Sequence, residues 1–384
     1  MPLPWKIEMT DAERMAHADS LDILFEPASI GSLPIKNRIV MAPMTRSRSP
    51  GGVPGPDVAA YYRRRAEGGV GLIVTEGTWV PHWSASDDPA APRFYGEDAL
   101  AGWKHVVDEV HEAGGLIMPQ LWHVGQVLDE KTGASRGHLV GPSGLTGGFG
   151  KMPKLTDQPA TQQEIDEVID AYAKAAVSAK ALGFDGVELH AGHGYLLDQF
   201  FWAQSNLRTD RYGGGVADRT RLAVEIVAEI KRRTGPDYPV ILRFSQWKMH
   251  DFGARLFTTP SDLEAFVHPL VEAGVDAFHA SQRRFWEGEF GADLNLAGWA
   301  RKLSGKRAIT VGSVTLKRDL IESLGGSGSD AADNLPRLRE MMMRGDFDFV
   351  AVGRALITNP SWPRQVQNGL PISPFAESAL AQLD

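Results

Sequence analysis

The 384-residue chain contains no cysteine. That absence excludes disulfides, thiolate metal sites, iron–sulfur clusters and catalytic thiols, so any redox chemistry has to be done by a borrowed cofactor. No basic block stands out from a background of formal charge −8, which removes the footprint of a nucleic-acid binder and leaves a small molecule as the expected partner. Apolar runs long enough to span a bilayer are also missing. The leader MPLPWKIEMTDAERMAHADS carries acidic residues where a signal peptide has its apolar core, so a cytoplasmic chain without a membrane partner is expected. What the chain does have is 43% hydrophobic residues, ample for a well-buried core.

One joint recurs. A helical stretch ends at glycine and a short apolar run follows, in EGGVGLIVTEG (67–77), EAGGLIMPQLWH (112–123), ALGFDGVELH (181–190), EAGVDAFHAS (272–281) and MRGDFDFVAVGR (343–354). Glycine accepts the left-handed dihedrals that close a helix, and such a run suits a strand covered on both faces. NRIVMAPMT (37–45), VILRFSQ (240–246) and AITVGSV (308–314) bring the count to eight strands with helices between most neighbours. This alternation favours an α/β fold of one (β/α)8 TIM barrel over an open doubly wound sheet. Two connections are long. The stretch 124–160 is rich in Gly and Pro and reads as an excursion after strand three, over the barrel mouth. GGSGSDAADNL (325–335) reads as a flexible surface loop.

In such a barrel the active site collects at the C-terminal ends of the strands. Those ends carry Pro43, Met44 and Thr45; Glu76 and Gly77; Gln120, Trp122 and His123; His190 with His193 and Tyr195 behind it; and Arg243. The last two strands end in Gly312-Ser313 and Gly353-Arg354. Backbone N–H groups freed by glycine there, beside an arginine, make a phosphate cradle; tight turns and a solvated cation are the alternative. In HAGHGY (190–195) two imidazoles converging on a carbonyl oxygen would polarise it, and the phenol could protonate the adjoining carbon. A structural histidine pair, or a metal site with Glu188 in a flavin-free lyase or hydrolase, stays open at this point, although the H-E-x-x-H spacing is absent.

The stretch HAGHGYLLDQFFWAQSNLRTDRYGG (190–214) resembles the signature of the old yellow enzyme family. APMTRSR (42–48), LIVTEGT (72–78), QLWHVGQ (120–126) and VGRALITNP (352–360) resemble further motifs of that family in the same order, covering residues 24 to 368. The resemblance implies an enzyme: an FMN-dependent ene-reductase of the NAD(P)H dehydrogenase type, with FMN tightly bound, NADH or NADPH as reductant, an activated alkene as substrate and no metal. It implies a phosphate held by Gly312, Ser313, Gly353 and Arg354, with Pro43, Met44 and Thr45 along the ring and Thr45 near the C4 carbonyl. Gln120 would bind the pyrimidine edge, Gly77 would permit close approach, Arg243 would face N1 and the C2 carbonyl, and His190 would also touch the cofactor. On the substrate side, His190 and His193 would hold the carbonyl, Tyr195 would donate the proton, and Trp122 and Trp286 would line the pocket.

The same resemblance divides the chain into a leader (1–23) on or trailing from the barrel, an FMN-binding barrel (24–368) and a C-terminal tail (369–384); a homo-oligomer is compatible with it. Three places depart from the family pattern: RFSQWK (243–248) lacks the proline found after the serine, VGSV (311–314) lacks a second glycine, and ADRTRL (217–222) lacks an asparagine. Arg219 and Arg221 are expected to be structural. The loop SQRRFWEGEF (281–290) is expected either to cap the pocket, with Arg283 or Arg284 on an anion, or to be a solvated turn pinned by Phe285 and Trp286.

Overall fold

The computed structural model describes residues 20–86, 88–128, 138–148, 151–323 and 327–384. Eight strands form a closed barrel: β1 (Ile39–Met41), β2 (Leu72–Trp79), β3 (Ile117–Trp122), β4 (Val187–His190), β5 (Val240–Phe244), β6 (Ala277–Ser281), β7 (Arg307–Val311) and β8 (Phe349–Val352). Every neighbouring pair is parallel, and the ring follows the order of the chain. All eight expected strands are present. The first is much shorter than its apolar run, because Pro43 has no N–H with which to continue the ladder.

Between the strands run α1 (Pro56–Glu67), α2 (Glu97–Glu112), α3 (Gln162–Leu182), α4 (Leu196–Phe201), α5 (Val216–Thr234), α6 (Pro260–Ala273), α7 (Leu296–Ser304) and α8 (Leu335–Met343), followed by α9 (Arg354–Thr358). Local chemistry sets the ends of α3 and α6. Thr161 with Glu164, and Thr259 with Asp262, form reciprocal capping boxes at their starts. Gly183 at φ 94° and Gly274 at φ 112° close them in the left-handed conformation, with αβ joints at the positions the sequence indicates.

Side chains alternate across each strand. One set packs outward on the helices; the other fills the barrel with Val40, Leu72, Val74, Met118, Ile241 and Phe349 among its residues. A hairpin, Ala28–Ile30 with Leu33–Ile35, adds Ile30 and Ile35 to this inner cluster and plugs the end opposite the site. Higher in the barrel the inward positions become polar: Gln120, Glu188, His190, Arg243 and His279, all buried.

The excursion after β3 differs from expectation. Among its described residues, Val127–Leu128, Leu145–Gly148 and Lys154–Leu155 form a small sheet. The stretch 325–335 is also not loose where it is described. Ser329 and Phe375 exchange two backbone hydrogen bonds of 2.9 Å, and Ala332 N–H donates to the Thr315 carbonyl. The cause is the C-terminal tail, which runs back over the fold and offers that loop a strand-like partner. Of the leader, residues 1–19 lie outside the described part, and Arg339 of α8 donates to the Ser20 carbonyl; Leu24, where the barrel unit was expected to begin, is buried.

Candidate active site

The innermost polar layer centres on Glu188. Glu188 is fully buried and accepts from Gln120 Nε2 at 2.8 Å, and its other oxygen lies 2.7 Å from His279 Nδ1. With its carboxylate so committed, Glu188 does not join His190 and His193 in a metal site, and no cluster of three or more candidate ligands occurs among the described residues.

One layer higher, Arg243 of β5 is in register with His190 of β4 and His279 of β6. The loop after β4 brings His193 and Tyr195 onto His190: ring centroids are 5.0 and 4.8 Å away, both edge-on. Trp122 meets the Tyr195 ring edge-on at 5.0 Å. Burial, aided by the Arg243 cation, holds both imidazoles well below the usual histidine range, so they are neutral. Tyr195 reaches Met249 Sδ at 3.4 Å from its hydroxyl.

The residues after β5 hold this loop in place. His193 has φ 64°, unusual for a side chain of its size, and its N–H donates to Ser245 Oγ at 2.8 Å. Met249 N–H donates to the His193 carbonyl, and the Trp247 indole stacks on the His193 ring at 4.3 Å. His193 Nε2 lies 2.7 Å from Ser281 Oγ, which in turn accepts from Arg243 at 3.3 Å. Ser281, Trp247 and His279 were not among the expected site residues. The signal for two of them lies in β6: in Ala277–Ser281, His279 and Ser281 alternate on the inward face of a wholly buried strand.

Other expected site residues are placed as follows. Pro43 is buried, and its carbonyl lies 3.5 Å from Arg243; Met44 is half-buried and Thr45 exposed at the mouth. Gly77 is filled by protein: a Cβ there would lie 2.9 Å from the Trp122 ring. Ser313 adopts φ 52°, and its hydroxyl donates to the Arg283 carbonyl. A Cβ on Gly312 would strike the Gln282 carbonyl at 2.7 Å, which makes glycine necessary for the turn. The Arg354 guanidinium is drawn onto the carbonyls of Arg318 and Asp319, and burial lowers it to about 10.

Trp286 is not brought to the histidine pair. It packs edge-on against Phe285 and lines a separate cavity with Asp333 and Arg337. Arg283 and Arg284 are engaged too, Arg283 with Asp319 and Arg284 with Asp319, Glu287 and Glu322, so ion pairing holds them in place of an anion. Arg219 and Arg221 donate to the Phe201 and Arg211 carbonyls, bracing the segment after α4.

A closed parallel barrel that gathers neutral imidazoles, a phenol and a buried arginine at its C-terminal mouth is of the class of (β/α)8 oxidoreductases that work through a bound flavin. The chain belongs to the NADH:flavin oxidoreductase / NADH oxidase family, whose model matches residues 23–373, and within it to the old yellow enzymes. It is 30% identical over 387 residues to 12-oxophytodienoate reductase 2 of Arabidopsis thaliana, covering 98% of this chain and 96% of that one. Among solved structures it is similar to morphinone reductase in complex with tetrahydroNAD, with a TM-score of 0.78, 29% identity and 93% of each chain covered. It is also similar to the old yellow enzyme homologue from Zymomonas mobilis, with a TM-score of 0.76, 26% identity and coverage of 93% of this chain and 96% of that one. The protein is thus an FMN-dependent oxidoreductase that takes electrons from a reduced nicotinamide and reduces activated C=C bonds. Among its described residues no helix is long and apolar enough to cross a membrane.

Proposed function

We propose that this enzyme reduces the C=C bond of α,β-unsaturated carbonyl compounds, with His190 and His193 holding the carbonyl oxygen and Tyr195 protonating the α-carbon. The observation that carries this reading is the convergence of His190, His193 and Tyr195 beside Arg243. The residues fit FMN: Arg243 Nε and His190 Nδ1 are buried without a hydrogen-bond partner, and atoms of that kind call for a polar ligand. A Cβ on Gly353 would come into ordinary contact with Met44 Sδ at 3.5 Å, so protein does not block that turn.

Gly312, Ser313, Gly353 and Arg354 would hold the phosphate. Pro43, Met44, Thr45, Gly77, Gln120 and His190 would line the ring, and Arg243 would face the side where negative charge gathers. Bound FMN supplies the hydride. The two imidazoles polarise the carbonyl as neutral donors, which draws electron density from the β-carbon. The Tyr195 hydroxyl then gives its proton to the α-carbon, and Trp122 covers the pocket wall. NADH or NADPH is the reductant in a dehydrogenase-type cycle, and residues 24–368 form the catalytic unit in a cytoplasmic protein.

Tyr195→Phe tests this. Anaerobic stopped-flow should show reduction of 2-cyclohexenone slowed by about 10²–10⁴-fold, with flavin reduction by NAD(P)H nearly unchanged, because only the alkene step needs the proton. Equal losses in both half-reactions would contradict the role given to Tyr195.

A further inference from the structure

We propose that Ser281 is a positioning residue that fixes His193 as its Nδ1–H tautomer, tying Nε2 to the protein and offering Nδ1–H to the substrate carbonyl. The inference rests on the reading of His193 as a carbonyl donor and adds how that donor is made. It follows from counting protons around one hydroxyl. The Arg243 guanidinium can only donate, so its 3.3 Å contact makes Ser281 Oγ an acceptor. Ser281 is buried, and among the described residues the one remaining partner of its hydroxyl is His193 Nε2 at 2.7 Å. Were His193 to donate here, Oγ would accept twice and its own proton would be stranded in a buried site. Ser281 therefore donates, and Nε2 accepts. A neutral imidazole that accepts at Nε2 carries its proton on Nδ1.

Neutrality is secured by burial and by the neighbouring Arg243 cation. Orientation is secured independently. The Trp247 indole stacks on His193 and donates its own N–H to the Ser281 carbonyl at 3.2 Å, so one side chain fixes both partners. Trp247 lies in RFSQWK (243–248), just after the fifth strand, and Ser281 ends the sixth and opens the loop 281–290. His193 Nδ1 has no protein partner among the described residues. Without the Ser281 hydroxyl the proton is free to move to Nε2, and Nδ1 would then present a lone pair to the substrate oxygen.

The test is the ¹⁵N spectrum of histidine-labelled, FMN-loaded protein, with His193→Asn used to assign the resonances. The expected wild-type pattern is a protonated Nδ1 and a bare Nε2. Ser281→Ala should move the proton to Nε2 and weaken 2-cyclohexenone binding on the order of tenfold, and Ser281→Thr should restore both. A wild-type pattern with Nε2–H, or a tautomer unchanged in Ser281→Ala, overturns the proposal. Should Ser281→Ala fail to fold, the wild-type spectrum decides alone. The underlying reading fails separately: His193→Ala with undiminished 2-cyclohexenone binding would remove His193 from the substrate site, whatever its tautomer.

Discussion

Lys248 and Asp198 form an ion pair, Nζ to Oδ1 2.7 Å, in which neither side chain has any exposed surface. Burial raises the Asp198 carboxyl and lowers the Lys248 amine, and the attraction between the two opposes both shifts. The second Asp198 oxygen accepts the N–H of Gly194, between His193 and Tyr195. The pair thus bolts the segment after β5 to the loop that carries the reacting groups. Removing one partner strands the other charge in the interior. Lys248→Met should therefore cost about 3–5 kcal/mol, read as a fall in the urea midpoint. Adding Asp198→Asn to it should recover much of that loss. A single-variant loss under about 1 kcal/mol, the value of an exposed bridge, would contradict the account.

Among the elements, those with local causes were legible. Each strand that follows a glycine joint sits where its apolar run lies, because a helix cap and a doubly covered strand are decided within a dozen residues. The elements whose partners are remote in sequence were not. The small sheet in the excursion joins segments with little periodicity, and the 327–330 loop is ordered by a tail nearly fifty residues away. The site divides in the same way: His190, His193, Tyr195 and Arg243 come together from motifs, whereas the link through Ser281 and Trp247 depends on the register of β5 with β6. Trp286 misled because an aromatic in a mouth loop can turn toward the outer helices, as this one does.

The tail itself is held by cations reading carbonyls, a pattern with no sequence complement. Arg46 donates to the Ala379 and Gln382 carbonyls, Arg48 to Ala381, Arg64 to Leu383 and Arg65 to Asp384. Hydrogen bonds from charged donors contribute about 1.5–3 kcal/mol each when sheltered. Deleting residues 376–384 should therefore cost at least about 2 kcal/mol and lower the Tm in a thermal melt. An unchanged Tm would mean that the tail lies on the arginines without bracing them.

At the scale of the whole molecule, the barrel interior grades from an apolar plug at one end to a polar layer under the site, in which Glu188 is paired with Gln120 and His279 while Arg243 Nε and His190 Nδ1 face the site without a protein partner. Near the mouth, Glu76 in β2 carries a charge that is set by pH. A register shift between Val74 and Gly77 places it where Oε2 accepts the N–H groups of Arg46 and Ser47, at 2.8 and 2.9 Å. Burial outweighs those bonds and raises its carboxyl from 4.5 to about 7. An unfolded chain releases this proton near 4.5, the folded one near 7, so between those values unfolding releases a proton and acid favours the fold. The contribution of Glu76 is complete below the lower value and is lost as pH rises through the upper one. Glu76→Gln keeps an oxygen for the two N–H groups and removes the titration. The stability of the wild type relative to this variant should therefore decline from pH 4.5 to 7 and level off above it. Parallel unfolding curves across that interval would mean that the carboxylate is already compensated in the fold, and that the loop carrying Thr45 is held equally well at either end of the range.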